Sequence, residues 1–212
     1  MRVIIIANGW LNQPIILEAD DILIAANGGA RYCLDARMYP EFVVGDLDSL
    51  EEPDLEILRK EGSKIIPFPS RKDFTDLELA IKHALTLSPE EIVILAALGA
   101  RWDQTIANIL LPAVTPYVKM RIIDDNQEIF FIHRNQMIEI TGKPGDVVSL
   151  IPIMGDAEGI TTHGLEYELQ NEALLFGSTR GISNILLESN AQVFLNKGTL
   201  LCTILHNTTD RT

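Results

Sequence analysis

Short β-branched runs alternate with helical patterns as far as residue 118, and beyond that point only strand patterns follow. Val3–Ile6, Ile22–Ala25, Phe42–Val44, Lys64–Ile66 and Ile92–Leu95 are the early strand candidates. Residues 29–37, 54–61, 74–87 and 103–111 carry the helical period. In the third of these, Leu77, Ile81, Ala84 and Leu85 make an apolar stripe; in the fourth, Ile106, Ile109 and Leu110 do. Strand and helix in alternation specify a mostly parallel sheet covered by helices. The strands are apolar almost throughout, as expected where both sheet faces are covered.

The rhythm changes after Pro112 and Pro116. Residues 119–124, 128–133, 136–141, 146–151, 166–169, 173–176, 191–195 and 199–205 read as short strands. Asp125-Asn126, Arg134-Asn135, Gln170-Asn171 and the stretches 142–145 and 196–198 supply turn signals. The expected fold is thus an α/β domain with a mostly parallel sheet over residues 1–118, followed by an all-β, sandwich-like domain over 119–212. The polar tail after Leu205 reads as frayed.

Composition narrows the function classes. The longest apolar stretches are interrupted by Gly, Pro or charge well before 18 residues, so no membrane-spanning helix is expected. The N-terminus MRVIIIANGW lacks the long apolar region and cleavage site of a secretory signal and reads as a first strand. Cys33 and Cys202 are far apart and form no motif, which suits two reduced thiols and a cytoplasmic location. The net charge of -13 repels polyanions and argues against long nucleic acid as a partner. It does not exclude a single nucleotide, since Mg²⁺ joins carboxylates to phosphates, and it favours a cationic substrate.

In an open α/β sheet, ligands sit beyond the C-terminal ends of the strands. The unusual residues collect there. Asn27, Gly28 and Gly29 follow the second strand candidate; the glycines permit a tight turn or close approach to a ligand, and their amides suit an anion. Asp46 and Asp48 follow the third. If that segment stays extended, the two side chains share a side, and a cation such as Mg²⁺ offsets their repulsion. The alternative is a polar turn in which Asp48 or Ser49 caps the next helix. Asp73 and Asp76, three apart at a helix start, point roughly the same way. Arg71 and Lys72 stand beside them, and acids next to phosphate-binding cations are what phosphoryl transfer requires. Arg101 and Asp103 follow the fifth strand; Arg101 suits phosphate oxygens, and Asp103 either joins the acids or only caps a helix. Trp102, Tyr167 and Phe176 read as core residues, and His163 as part of a glycine-flanked loop.

NGGA at 27–30, GDLDS at 45–49, KDFTD at 72–76, GARWDQTIANI at 99–109 and STRGISN at 178–184 stand in this order. The set, spanning nearly the whole chain, resembles the thiamine pyrophosphokinase family. The resemblance implies an N-terminal α/β catalytic domain, a β-rich thiamine-binding domain, and a homodimer with active sites between subunits. It implies transfer of pyrophosphate from ATP, the co-substrate, to the hydroxyl of thiamine, releasing AMP. It assigns Mg²⁺ and ATP phosphates to Asp46, Asp48, Asp73, Asp76 and Asp103. Asn27, Gly28, Gly29, Lys72, Arg101 and Gln104 fall in its phosphate-binding segments, and Ser178, Arg180, Ser183 and Asn184 in its thiamine-binding segment. Two residues depart from the family pattern: Asn27 replaces an Asp, and Gln104 replaces a His. A non-catalytic thiamine or nucleotide sensor, or a transferase acting on another small alcohol, is the alternative expectation.

Overall fold

The structure, a computed structural model, describes residues 1–207. It divides into two compact units, Met1–Asp125 and a second beginning at Asn126, whereas the sequence rhythm places the boundary at 118.

The first unit runs β1 (Arg2–Ile6), β2 (Ile22–Ala26), α1 (Gly29–Asp35), β3 (Phe42–Gly45), α2 (Glu52–Lys60), β4 (Lys64–Pro67), α3 (Asp76–Thr86), β5 (Glu91–Leu95), α4 (Trp102–Leu110), a 3₁₀ turn (Leu111–Val114) and β6 (Lys119–Asp124). Its strands lie in the order β6-β5-β1-β2-β3-β4, each parallel to its neighbour. Ile5, Ile6, Leu23, Ile24, Ile92 and Ile94 are fully buried. Each such side chain contributes about 1.5–3 kcal/mol on leaving water. The chain steps one way from β1 to β4, then returns to the other side of β1 with β5. The loops after β1 and β5 therefore part at a topological switch point.

Residues 119–124 belong to this parallel sheet rather than to the antiparallel domain expected for them. Lys119 and Arg121 both pair with Glu91 of β5, at 3.2 and 2.7 Å. These ion pairs give β6 an alternating polar pattern that imitates an antiparallel strand.

The second unit comprises β7 (Gln127–His133), β8 (Gln136–Thr141), β9 (Val147–Pro152), β10 (Ala157–His163), β11 (Glu172–Leu174), β12 (Asn184–Ile185), β13 (Asn190–Lys197) and β14 (Thr199–Leu205). They form two antiparallel layers, β12-β9-β14-β7 and β11-β10-β13-β8. β13 alternates buried and exposed residues, as a strand with one face on a core must. The core includes Ile132, Ile140, Val148, Leu150, Ile160, Val193, Leu195 and Leu200.

Two strand expectations fail here. Residues 166–169 are not a strand, and β10 occupies 157–163, so His163 ends a strand rather than lying in a loop. Gly159, at φ +67, and a register shift between Ala157 and Ile160 obscure the period of β10 in the sequence. His206 and Asn207, expected to fray, are tied to Asp146; the rest of that tail lies outside the described residues. Among the described residues no helix is long and apolar enough to cross a membrane.

Candidate active site

The first unit holds a cleft of about 650 Å³ at the C-terminal ends of its strands. Its walls come from the loops after β1 (Asn8, Gly9, Trp10), β2 (Asn27), β3 (Asp46, Asp48, Ser49) and β5 (Gly99, Arg101), with Asp76, Gln104 and Asn108 from helices α3 and α4.

Asn27 is the centre of the acidic wall. It is buried, and it adopts φ +47, the left-handed region that Asn tolerates better than most residues. Its backbone N–H donates to the Val44 carbonyl at 2.8 Å, fixing the loop to β3. Its side-chain nitrogen then meets three carboxylates: Asp46 at 2.9 Å, Asp48 at 2.9 Å and Asp76 at 3.0 Å. A primary amide has two hydrogens, so three anionic acceptors exceed what it can satisfy.

Asp46 and Asp48 reach this point by a route other than extended backbone. Leu47 between them sits at φ +65 and Leu50 N–H closes a turn onto the Leu47 carbonyl at 3.1 Å. The turn, not a period of two, aims both carboxylates inward. Gly45 is required just before it. Its φ is +147, and a Cβ there would stand 2.9 Å from the Asp76 carboxylate and 3.0 Å from the Asn27 side chain. Neither Asp48 nor Ser49 caps α2; Glu51 does, in a reciprocal box with Asp54.

Asp76 opens α3, where Thr75 is the N-cap and accepts from Glu78 N–H at 3.2 Å. Lys72 lies four residues earlier. Its ammonium is 2.6 Å from Asp76 and 3.4 Å from Asp46, and its side chain is 12% exposed. Desolvation works against this charge, but Asp76 and Asp46 outweigh it and hold the Lys72 pKa above the ordinary value. Hydrogen bonds from Asn27 and then Ser49 keep the Asp48 carboxyl below its ordinary range.

The remaining expected residues are distributed differently. Asp73 is exposed and precedes α3, so the helical spacing argued for Asp73 and Asp76 does not operate. Asp103 points to solvent and pairs with Arg101 at 2.6 Å; Arg101 in turn lowers its pKa. Arg101 and Gln104 line the cleft. Gly28 and Gly29 do not. A Cβ on Gly29 would lie 2.1 Å from the Ile6 carbonyl, so this glycine lets α1 pack against β1. Among the described residues no three acidic, His or Cys side chains stand as a ready-made cation cage; the Asn27 and Lys72 nitrogens occupy the space between the acids.

In the second unit, Asn184 is taken up by its own backbone surroundings. Its amide donates to the Tyr167 carbonyl at 2.8 Å, and its oxygen accepts from the N–H groups of Tyr167 and Ile185. Ser183 sits at φ +61 and its N–H donates to the Ser149 hydroxyl at 3.1 Å. The Ser178 hydroxyl accepts from Arg180 N–H, and the Arg180 guanidinium pairs with Glu172. Tyr167 and Phe176, expected in the core, are exposed, as is Trp102 of the first unit.

Asn8, Trp10, Thr105 and Asn108 were not singled out by sequence. Asn108 donates to the Ala97 carbonyl at 2.8 Å, and the Thr105 hydroxyl bonds both N–H and C=O of Gly99, so they brace the loop that carries Arg101. The signal for Asn8 and Trp10 was available: they directly follow β1, where the switch-point rule places ligands.

A family model described as "Thiamin pyrophosphokinase, catalytic domain" matches residues 14–123, and one described as "Thiamin pyrophosphokinase, vitamin B1 binding domain" matches 133–200. The thiamine pyrophosphokinase of Bacillus subtilis (strain 168) is 31% identical over 180 residues, covering 84% of each chain. Thiamine pyrophosphokinase 1 of Arabidopsis thaliana is 27% identical over 205 residues, covering 85% of this chain and 76% of the relative. The crystal structure of the Bacillus subtilis protein superposes with a TM-score of 0.88 at 28% identity, covering 98% of this chain and 100% of that one. The thiamin pyrophosphokinase structure from Candida albicans, at 20% identity and a TM-score of 0.78, shares the fold over 97% of this chain and 90% of that one.

Proposed function

The chain belongs to the thiamin pyrophosphokinase family, and from that premise we propose how its own residues serve the reaction. It is an enzyme that transfers pyrophosphate from ATP to the hydroxyl of thiamine, giving thiamine diphosphate and AMP. The sensor alternative is not favoured, because the relatives are named for the enzyme.

The observation that carries the assignment of roles is the meeting of Asp46, Asp48 and Asp76 within 3.0 Å of one nitrogen on the cleft wall. Three carboxylates bring hard oxygen donors and more negative charge than one ammonium offsets. That set fits Mg²⁺, with Asp46, Asp48 and Asp76 as the residues that would hold it. Bound there, the ion would supply charge neutralisation to the phosphate oxygens. Asp73 and Asp103 then stand outside the group of direct ligands.

Arg101 and Gln104, on the same cleft, are the groups assigned to phosphate oxygens, with Lys72 joining them. The Arg101 guanidinium is built for two-pronged contact with a phosphate. Asn27 orients the acids through its fixed amide. Much of the rate then comes from alignment of the hydroxyl with the β-phosphorus and from fixed charge around the departing AMP. Ser178, Arg180 and Ser183 are assigned to the thiamine side, while Asn184 supports that segment rather than the substrate. Assembly as a homodimer with active sites between subunits, and a cytoplasmic location, complete the reading; the two buried, unpaired cysteines suit the latter.

The direct test is product stoichiometry. Purified protein with ATP, MgCl₂ and thiamine is expected to release AMP and thiamine diphosphate in equal amounts. Release of ADP with thiamine monophosphate would overturn the pyrophosphate transfer, and a sedimentation experiment showing only monomer would overturn the dimer.

A further inference from the structure

We propose that Lys72 is a resident counter-ion of the acidic cluster that a divalent cation must displace, so that this lysine becomes free for the nucleotide's phosphates only once the metal is in place. The inference rests on the reading that Asp46, Asp48 and Asp76 hold that metal.

The geometry sets up a competition. The Lys72 ammonium bonds an oxygen of Asp76 at 2.6 Å and approaches Asp46 at 3.4 Å. These are two of the three carboxylates a cation would take. A divalent ion on the same oxygens would stand within a few ångströms of the ammonium, and like charges so placed repel strongly. One of them must leave.

Lys72 is the part able to move. It lies in the stretch 68–75, which is neither helix nor strand, and its tether is four methylenes long. Asn27, the other nitrogen in the cluster, is buried and pinned through its backbone to Val44. Asp46 and Asp76 line the cleft and hold the ammonium at 3.4 and 2.6 Å, so in this state it is engaged by the acids. Downstream, the Phe74 ring under the Lys82 ammonium and the Thr75 cap hold the segment to α3. The side chain can therefore swing out without unseating the acid-bearing helix.

The arrangement orders binding. Without a cation, Lys72 limits repulsion among the carboxylates and blocks their use. With a cation, the displaced ammonium adds positive charge where the phosphates arrive. A lysine serving only as a structural strut makes the opposite prediction, because removing it would loosen the cluster and weaken metal binding.

The experiment measures Mn²⁺ binding in the absence of nucleotide, by the electron paramagnetic resonance of the free ion, with full-length wild type, K72M, K72Q, K72R and D46N. Loss of the competing charge should tighten Mn²⁺ binding in K72M and K72Q by about tenfold. K72R should stay near wild type and D46N should bind far less. Metal-free K72M should also melt below wild type, with Mn²⁺ closing the gap. With Mn²⁺ saturating, K72M and K72Q should bind ATP more weakly. If K72M and K72Q bind Mn²⁺ no tighter than wild type while D46N loses it, the displacement is refuted and the metal site stands. If wild type and D46N bind Mn²⁺ equally poorly, the metal site itself falls and takes the inference with it.

Discussion

Asp46, Asp48 and Asp76 in the first unit and Asp146 and Glu128 in the second are both gathered around side-chain nitrogens, yet they are completed in different ways. Asp146 is 1% exposed. It accepts from the backbone N–H groups of Lys143 and Asn207, at 2.9 and 2.8 Å, and contacts His206 at 2.9 Å; His206 reaches Glu128 at 3.1 Å with its other ring nitrogen. Backbone donors cannot move away, so this group is closed and joins the turn before β9 to the end of β14. The three acids of the first unit take their contacts mainly from an amide short of hydrogens and from a lysine on a flexible stem. They face a cleft and retain surplus charge. On the proposed reading the acids of the first unit form a ligand site because their donors are incomplete; at Asp146 the backbone supplies the donors, and the same residue type is structural.

The largest expected effect tests that contrast directly. D46N should lower turnover about 10³-fold, the scale on which removing one fixed charge-stabilising group acts. Its melting temperature should equal or exceed that of wild type, because one repelling charge has gone. D146N should do the reverse. It leaves a buried site with mismatched donors and should cost about 2–3 kcal/mol of stability, measured by urea unfolding, with kcat unchanged in the folded fraction. If D46N destabilises as much as D146N, the two clusters do not differ in kind.

A smaller effect sharpens the structural side. Partial burial works against a charged His206, but Asp146 and Glu128 prevail and raise its pKa above 6.5. Asp146 moves down from 3.8: burial opposes this, and the N–H groups of Asn207 and Lys143, with His206, override it. The signs follow from linkage. The histidine's contribution is fully present below the unfolded value near 6.5 and is lost as pH rises through the higher folded value. The aspartate's is present above 3.8 and is lost as pH falls through its lower folded value. The pair therefore contributes most between these limits. H206Q should remove about 0.5–1 kcal/mol at pH 6, given the partial exposure of the ring, and much less at pH 9. Equal losses at both pH values would show that the imidazole's charge plays no part.

The alternation of strands and helices was legible in the first unit because apolar runs and helical stripes are local patterns. β1 to β5 and the four helices fall within a few residues of their expected places. β6 misled because Lys119 and Arg121 answer to Glu91, 28 and 30 positions away in the chain. β10 was missed because Gly159 interrupts its pattern. At the candidate site, the motifs name three acids that the structure gathers on one cleft wall, and the switch-point rule names that end of the sheet. The convergence on Asn27 was not legible, since it depends on left-handed turns at Asn27 and Leu47 and on the closeness of Gly45 to Asp76. Nor could a sequence tell Asp76, in the cluster, from Asp73, three residues away and outside it. The polar residues at 178–184 show the same limit in reverse: Asn184 carries the right chemistry, but loop backbone has already claimed it.

The smallest effect concerns Asp103, which belongs to neither cluster. It is exposed and paired with Arg101, a residue that lines the cleft. An exposed ion pair adds little stability, so D103N should melt with wild type. Its influence should pass through Arg101 alone. On the proposed assignment of Arg101 to the phosphates, weakening the pairing charge lets Arg101 sample more orientations, which predicts a rise of about threefold in the KM for ATP with kcat nearly constant. Metal affinity should not change. R101Q should show the same KM effect in larger measure, and the double variant R101Q/D103N should be no worse than R101Q, since the second change removes a partner that no longer exists. If D103N instead lowers kcat about as far as D46N does and weakens Mn²⁺ binding, Asp103 joins the metal ligands in the working enzyme. The Arg101–Asp103 pair would then be a resting contact broken when substrates arrive, as the Lys72–Asp76 pair is inferred to be.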